Sequence, residues 1–178
     1  ASPDSDYDVR FVYAMSRNNY LRLDPPRDVI EWKLDKVLDI NGWDLKKTLL
    51  QFARGNPTPF EWSASPIVYR SAPAWDRVRE ASQSCFSEKA AVRHYTGMAL
   101  RTWHQHLTGE TVRYKKYFYC LRPLLCARYI ETYHRLPPMR FDELLQENLD
   151  PALRSAIDML LTVKHRSAED EPHPHLPS

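Results

Sequence analysis

An alternation of polar and apolar side chains opens the chain at DYDVRFVY and predicts a strand over Asp6–Tyr13. Successive strand residues face opposite ways. Asp6, Asp8, Arg10 and Val12 therefore share one face, and Tyr7, Val9, Phe11 and Tyr13 the other. VIEWKL (Val29–Leu34) and VLDI (Val37–Ile40) read as two further strands, with Asn41 and Gly42 as the turn that follows. Between the first two strands, MSRNNYLRLDPPRD is rich in turn formers, and Pro25 and Pro26 exclude a regular element there.

The period then lengthens. Asp44 stands as N-cap before LKKTLLQFAR, and Gly55 is placed to end that helix. Leu45, Leu49 and Phe52 recur at helical spacing and are expected in the core. Asn56-Pro57 marks a turn. Pro59 and Pro66 bracket Glu61 and Trp62 in a stretch too broken for a long regular element. From about Val78 the character is helical: Trp75–Phe86, Ser87–Leu107, Thr111–Arg135 and Pro151–Lys164, with Asp150-Pro151 starting the last. Leu136-Pro137-Pro138 breaks the chain before a short helix in FDELLQEN. The polar, proline-rich residues 165–178 are expected to be disordered. The pattern predicts an α+β protein: a mixed sheet with helices over residues 1–72, then an all-helical region over 73–164.

Composition changes this picture little. The chain has 178 residues, 43% apolar and 27% charged, enough for a sizeable core. A net charge of only +2 excludes a generally basic nucleic-acid binder, so any such surface is local. One candidate is Thr111–Arg135, where six Lys or Arg face Glu131 alone; residues 141–171 carry eight acids against three bases. Within the basic helix Tyr114, Phe118, Leu121, Leu125 and Tyr129 read as core. Lys115, Tyr119 and Arg122 form a neighbouring stripe that suits a triphosphate or a nucleic-acid backbone. A solvated helix face is the more usual explanation of such a stripe. Pro123 is expected to kink this helix or end it early.

Three cysteines without a CxxC pair argue against a disulfide framework or zinc knuckle and fit a reduced, cytoplasmic location. The 178 residues show no signal-peptide pattern and no apolar run long enough for a bilayer, so neither is expected. None of the four glycines lies in a phosphate-binding loop, and HExxH and GxSxG are missing. His94, Cys120 and Cys126 read as packed core residues.

The candidate chemistry lies in the first strand. Two carboxylates two residues apart can hold a hard cation such as Mg²⁺, and a second cation would permit in-line displacement at phosphorus. Alone, the Asp6–Asp8 pair is a weak signal, since two acids at a strand edge look the same. An EF-hand is excluded because Val9 stands where glycine is needed and Met15 where the bidentate Glu belongs. Asp39, between Leu38 and Ile40, could point to the same place, whereas Asp44 is better explained as a cap.

In order along the chain, SPDSDYDVRFVY, DPPRDVIEW, LDINGWDLKKTL, GNP, EWSASPIVY, HYTGMA, YKKYFYCLRPLL and LPPMRFDELL resemble a known group. It is the predicted RNA-repair (RlaP-type) nucleotidyltransferases of the DNA polymerase beta superfamily, and the resemblance runs from about Ser2 to about Lys164. It implies transfer of a nucleotidyl group from a nucleoside triphosphate to an acceptor such as an RNA end, with Mg²⁺ or Mn²⁺. It further implies Asp6 and Asp8 as the metal-binding catalytic pair and Asp39 as the third carboxylate, with Asp44 as runner-up. Lys47, Lys115, Lys116, Tyr119 and Arg122 fall in strings expected to bind nucleotide or phosphate, and Asn56 and Glu61 in strings expected to shape the site. The superfamily's Gly-Ser turn is expected a few residues before Ala1. The chain therefore reads as a truncated nucleotidyltransferase sheet and as a fragment with impaired turnover. Two other readings stay open: a non-catalytic nucleotide- or RNA-binding module on a degenerate transferase fold, and a toxin–antitoxin-like partner.

Overall fold

A computed structural model describes residues 7–33, 37–146, 149–164 and 173–174. The chain divides into two units, Ala1–Ser87 and Glu88–Ser178.

The first unit is built on three strands, β1 (Tyr7–Tyr13), β2 (Val29–Lys33) and β3 (Leu38–Asp44), in the order β1-β3-β2. β3 is central, parallel to β1 and antiparallel to β2. It runs on through Asn41 and Gly42, where the sequence predicts a turn. Both residues have neighbours on each side: Arg10 and Glu31 flank Asn41, and Phe11 and Ile30 flank Gly42. Two ladders of backbone hydrogen bonds outweigh the local turn preference. Gly42 has a second reason to be glycine. A Cβ there would fall 2.2 Å from Cζ of Phe11, so the Phe11 ring lies across the bare backbone.

Asp44 ends β3 and caps α2 (Leu45–Ala53), its Oδ2 accepting from the Lys46 N–H at 2.9 Å. The inward stripe of α2 is Leu45, Thr48 and Phe52, not Leu45, Leu49 and Phe52: Leu49 is exposed and Thr48 fully buried. Thr48 is tolerated there because its hydroxyl donates to the Asp44 carbonyl at 3.0 Å. The helix closes on Gly55 (φ 68), with the Gly55 N–H on the Phe52 carbonyl at 2.8 Å and the Asn56 N–H on the Gln51 carbonyl at 3.0 Å.

The proline-broken stretch that follows is a helix, α3 (Pro57–Ser63). Its prolines sit in the first turn, where backbone N–H groups have no intrahelical acceptor to lose, and Asn56 Oδ1 caps the Thr58 N–H at 3.0 Å. Phe60 packs edge-on against Phe52 at 4.8 Å between centroids, and Trp62 lies tilted against Trp43 at 4.4 Å. α4 (Pro73–Ser82) returns Trp75 to Phe52 and leads into a 3₁₀ turn at Gln83–Cys85. It therefore lies within the first unit, although the pattern puts a boundary at residue 72. A single helical turn, α1 (Arg17–Tyr20), capped by Ser16, occupies the connection read as irregular; Pro25 and Pro26 lie beyond its end.

The second unit is helical. α5 (Glu88–His106) and α6 (Tyr114–Tyr133) form its main contact, followed by α7 (Phe141–Leu144) and α8 (Pro151–Lys164). Ala91, Tyr95 and Ala99 line the buried face of α5 at four-residue spacing, and the small side chains allow close approach. Cys120 Sγ reaches the Ala99 carbonyl at 3.6 Å. On α6 the buried set is wider than the predicted stripe. Leu125 and Tyr129 are buried as expected, while Tyr114, Phe118 and Leu121 are only half-buried; Cys120, Cys126, Ala127 and Ile130 complete the core. The helix does not end at Pro123, which is itself buried. Packing on both sides outweighs a proline cost of about 3 kcal/mol. Thr111 and Val112 precede the helix as a short strand, β4, paired with β5 (His173–Pro174); the rest of the tail expected to be disordered lies outside the described residues. Among the described residues, no helix is long and apolar enough to cross a membrane.

Candidate active site

The parallel register of β1 and β3 sets Asp8 directly beside Asp39. Register partners in a ladder project to the same face, so both carboxylates stand on one side of the sheet. Arg10, two residues on from Asp8, joins them. Its Nη2 donates to Asp8 Oδ1 at 2.7 Å and to Asp39 Oδ2 at 3.0 Å. Its Nη1 donates to the backbone carbonyls of Val9 at 3.1 Å and Asp39 at 3.2 Å. The two carboxylate oxygens thus converge on one point, and a positive group holds it. The acids are the more open partners, their side chains 65% and 48% exposed against 27% for Arg10.

Asn41 lies opposite Arg10 in the same register and two residues beyond Asp39. Its Oδ1 is buried and has no hydrogen-bond partner among the described residues. A buried amide oxygen left unpaired costs about 1–3 kcal/mol, so it is an acceptor in want of a donor.

The donor set fits a hard divalent cation. Mg²⁺ is commonly held by one or two carboxylates, with water and substrate phosphate completing the shell, and two converging, solvent-open carboxylates supply that much. Asp6 lies outside the described residues; among those described, no group of three His, Cys, Asp or Glu could hold a metal ion.

Asp44 is differently placed. It sits five residues along β3 from Asp39, on the opposite face, and is 2% exposed. Both its oxygens are engaged: Oδ2 by the Lys46 N–H at 2.9 Å, Oδ1 by the Tyr20 hydroxyl at 2.6 Å. The Tyr20 phenol is pushed above its ordinary value by burial and then by this bond to Asp44, and Tyr13 nearby is raised by burial and by the charges of Asp44 and Asp28.

The other residues named from sequence fall in both units. Lys47, on α2, is held by Asp28 at 3.1 Å, with its ammonium 5.9 Å from the Trp43 ring centroid. Asn56 is the α3 cap and also donates to Gln51 Oε1 at 2.9 Å; Glu61 is half-buried on α3. Lys115, Lys116, Tyr119 and Arg122 lie on α6 in the second unit. Lys115 and Arg122 are half-buried, and Arg122 donates to the Met139 carbonyl at 3.4 Å. Lys116 lies over the exposed Tyr119 ring at 5.1 Å and lines a cavity of about 510 Å³ shared with His106, Thr111 and Arg113.

Sequence reasoning passed over Arg10 and Asn41. The alternation already put Arg10 on the acidic face. Asn41 was hidden because Asn-Gly reads as a turn until β2 and β1 are known to flank it.

A mixed sheet that sets two carboxylates side by side, followed by a helical unit, is the α+β architecture the sequence predicts. The family described as "RlaP: RNA repair pathway DNA polymerase beta family" matches residues 1–178, and the chain belongs to that family. The chain is 42% identical over 170 residues, 94% of its length, to a Bacillus subtilis (strain 168) protein described as "Uncharacterized protein YcgL", and spans 65% of that protein's length. No solved structure matches.

Proposed function

We propose that the protein is a metal-dependent nucleotidyltransferase that moves a nucleotidyl group from a nucleoside triphosphate to an acceptor, with RNA ends as the acceptor class. The observation that carries this reading is the register pairing of Asp8 with Asp39 in a member of a polymerase-beta-like family. In the reaction a bond forms between an acceptor oxygen and the α-phosphorus, the α–β phosphoanhydride breaks, and pyrophosphate leaves. Asp8 and Asp39, with Asp6, would hold the divalent cation, Mg²⁺ or Mn²⁺. Bound there, it supplies positive charge to the phosphoryl oxygens and the leaving group. Lys115, Lys116 and Arg122 are assigned to phosphate and Tyr119 to the same nucleotide- or RNA-binding surface. Lys47 would serve phosphate only by leaving Asp28.

The test is transfer of label from each α-labelled nucleoside triphosphate to RNA ending in a hydroxyl or a phosphate, with Mg²⁺ or Mn²⁺. Asp8→Asn and Asp39→Asn should each lower transfer about a hundred-fold or more, as loss of a charge-stabilising group does elsewhere. Unchanged transfer in both would refute the assignment.

A second reading is favoured by Arg10, which already neutralises part of the acidic pair. On that reading the chain is a nucleotide- or RNA-binding module without catalysis. RNA affinity would fall steeply with salt, Lys115→Gln with Lys116→Gln would lower the salt slope by about one to two, and Asp39→Asn would leave binding unchanged.

A further inference from the structure

Arg10 Nη2 stands where the Asp8 and Asp39 oxygens converge, so it and a cation held by those oxygens claim one position. A cation that took those two oxygens at bonding distance, about 2.0–2.1 Å for Mg²⁺, would compete for their charge with a guanidinium nitrogen 2.7 and 3.0 Å from them. One must give way. The guanidinium is built to do so in part. Its Nη1 is anchored on the Val9 and Asp39 carbonyls, which do not take part in the contest, while Nη2 alone spans the carboxylates. An alternative acceptor lies next door. Asn41 Oδ1 is buried, lacks a donor among the described residues, and belongs to the residue directly opposite Arg10 in the β1–β3 register, about 4.8 Å away across the ladder.

We propose that Arg10 is a positioning residue that competes with the divalent cation for Asp8 and Asp39, and that Asn41 receives the displaced guanidinium. The inference rests on the metal-site reading above. Arg10 holds the two acids together against their mutual repulsion, so they are aligned before the cation arrives. It also sets how much cation is needed, because its two partly exposed ion pairs must be broken first. Asn41 lowers that barrier by accepting the hydrogen bond that Nη2 gives up. A buried amide oxygen without a donor among the described residues is then explained by its place beside a guanidinium that would turn to it.

The experiment is Mn²⁺ titration of the whole protein, read by calorimetry and by the loss of the free-Mn²⁺ paramagnetic signal, without nucleotide and without an activity assay. Arg10→Gln should tighten Mn²⁺ binding about three- to ten-fold, the scale of one or two exposed ion pairs removed from competition. It should also raise the Mn²⁺-induced shift in melting temperature above that of the wild type. Arg10→Lys keeps the charge but presents one point donor instead of a planar fork, and should fall between the two. It carries the test if the Gln variant does not fold. Asn41→Ala should weaken Mn²⁺ binding when Arg10 is present and leave it unchanged in the Arg10→Gln background; a merely structural Asn41 would act alike in both. Mn²⁺ binding to Arg10→Gln alone, with none to the wild type, would be the strongest support. Should Asp8→Asn and Asp39→Asn abolish binding while Arg10→Gln and Arg10→Lys match the wild type, the proposal falls and the metal-site reading stands. Binding unaffected by either Asp substitution, or absent from every variant, overturns both.

Discussion

Replacing Gly42 with alanine puts one methyl group into the central strand, and the structure says where it goes. The new Cβ falls 2.2, 2.4 and 2.5 Å from three ring carbons of Phe11, whereas carbon atoms rest at about 3.5–4.0 Å. The ring must move by roughly 1.3 Å or swing away. Phe11 is half-buried, so it can move, but at the expense of its tilted contact with Tyr13 at 5.9 Å. Overpacking of this kind costs about 1–3 kcal/mol. Against it stands the gain of about 0.5–1 kcal/mol from replacing a strand glycine with a less flexible residue. Gly42→Ala should therefore destabilise the first unit by roughly 1–2 kcal/mol. Urea unfolding followed by tryptophan fluorescence is suited to the measurement, because Trp32, Trp43, Trp62 and Trp75 lie in the first unit and Trp103 alone in the second. The sign should reverse when the ring is removed. In a Phe11→Ala background the same substitution should be neutral or stabilising by up to about 1 kcal/mol. An equal cost in both backgrounds would refute the ring contact as the cause.

Asp44→Ala removes the α2 cap and the acceptor of the Tyr20 hydroxyl; since Tyr20 is partly open to water, the loss should be about 1–2 kcal/mol by urea midpoint, with Asp44→Asn milder. Tyr20 holds its proton more tightly folded than unfolded, so its contribution is complete below the ordinary phenol value of 10.0 and lost as pH rises through the folded value. Stability should thus fall on the alkaline side, and Tyr20→Phe should flatten that limb in a pH series of melting temperatures, with Tyr13 retaining part of the slope. The native protein should show one fast-reacting thiol, removed by Cys85→Ser, and three after denaturation. Cys120 and Cys126 are buried, and burial pushes the Cys120 thiol up. Rapid labelling of all three would refute the packing of α6.

How far the sequence could be read depended on whether local pattern or long-range pairing decided the outcome. β1, the Asp44 cap, the Gly55 stop and the long helices α5, α6 and α8 follow from alternation, capping and period, all local causes. Three features did not follow from the local hydrophobic pattern alone. Asn41-Gly42 is a turn signal by composition and a strand interior by tertiary context, because β1 and β2 both pair with it. Thr48 displaces Leu49 from the core because its hydroxyl can return to the Asp44 carbonyl, which hydrophobic spacing does not weigh. Pro123 stays inside α6 because the residues around it are buried on several sides.

The candidate site divides along the same line. Its acids are legible as Asp-x-Asp and apolar-acid-apolar patterns, since each depends only on its own strand. What turns them into one site is the parallel register, and a slip of one residue would send Asp39 to the other face. The packing of Phe11 on Gly42 lies in that same register, three residues from the Asp8–Asp39 pair. A glycine chosen for a ring on one face of the sheet therefore helps to fix the alignment of two carboxylates on the other. Substitutions at Gly42 should accordingly disturb the proposed cation binding as well as stability, although Gly42 has no side chain to bring to the cation.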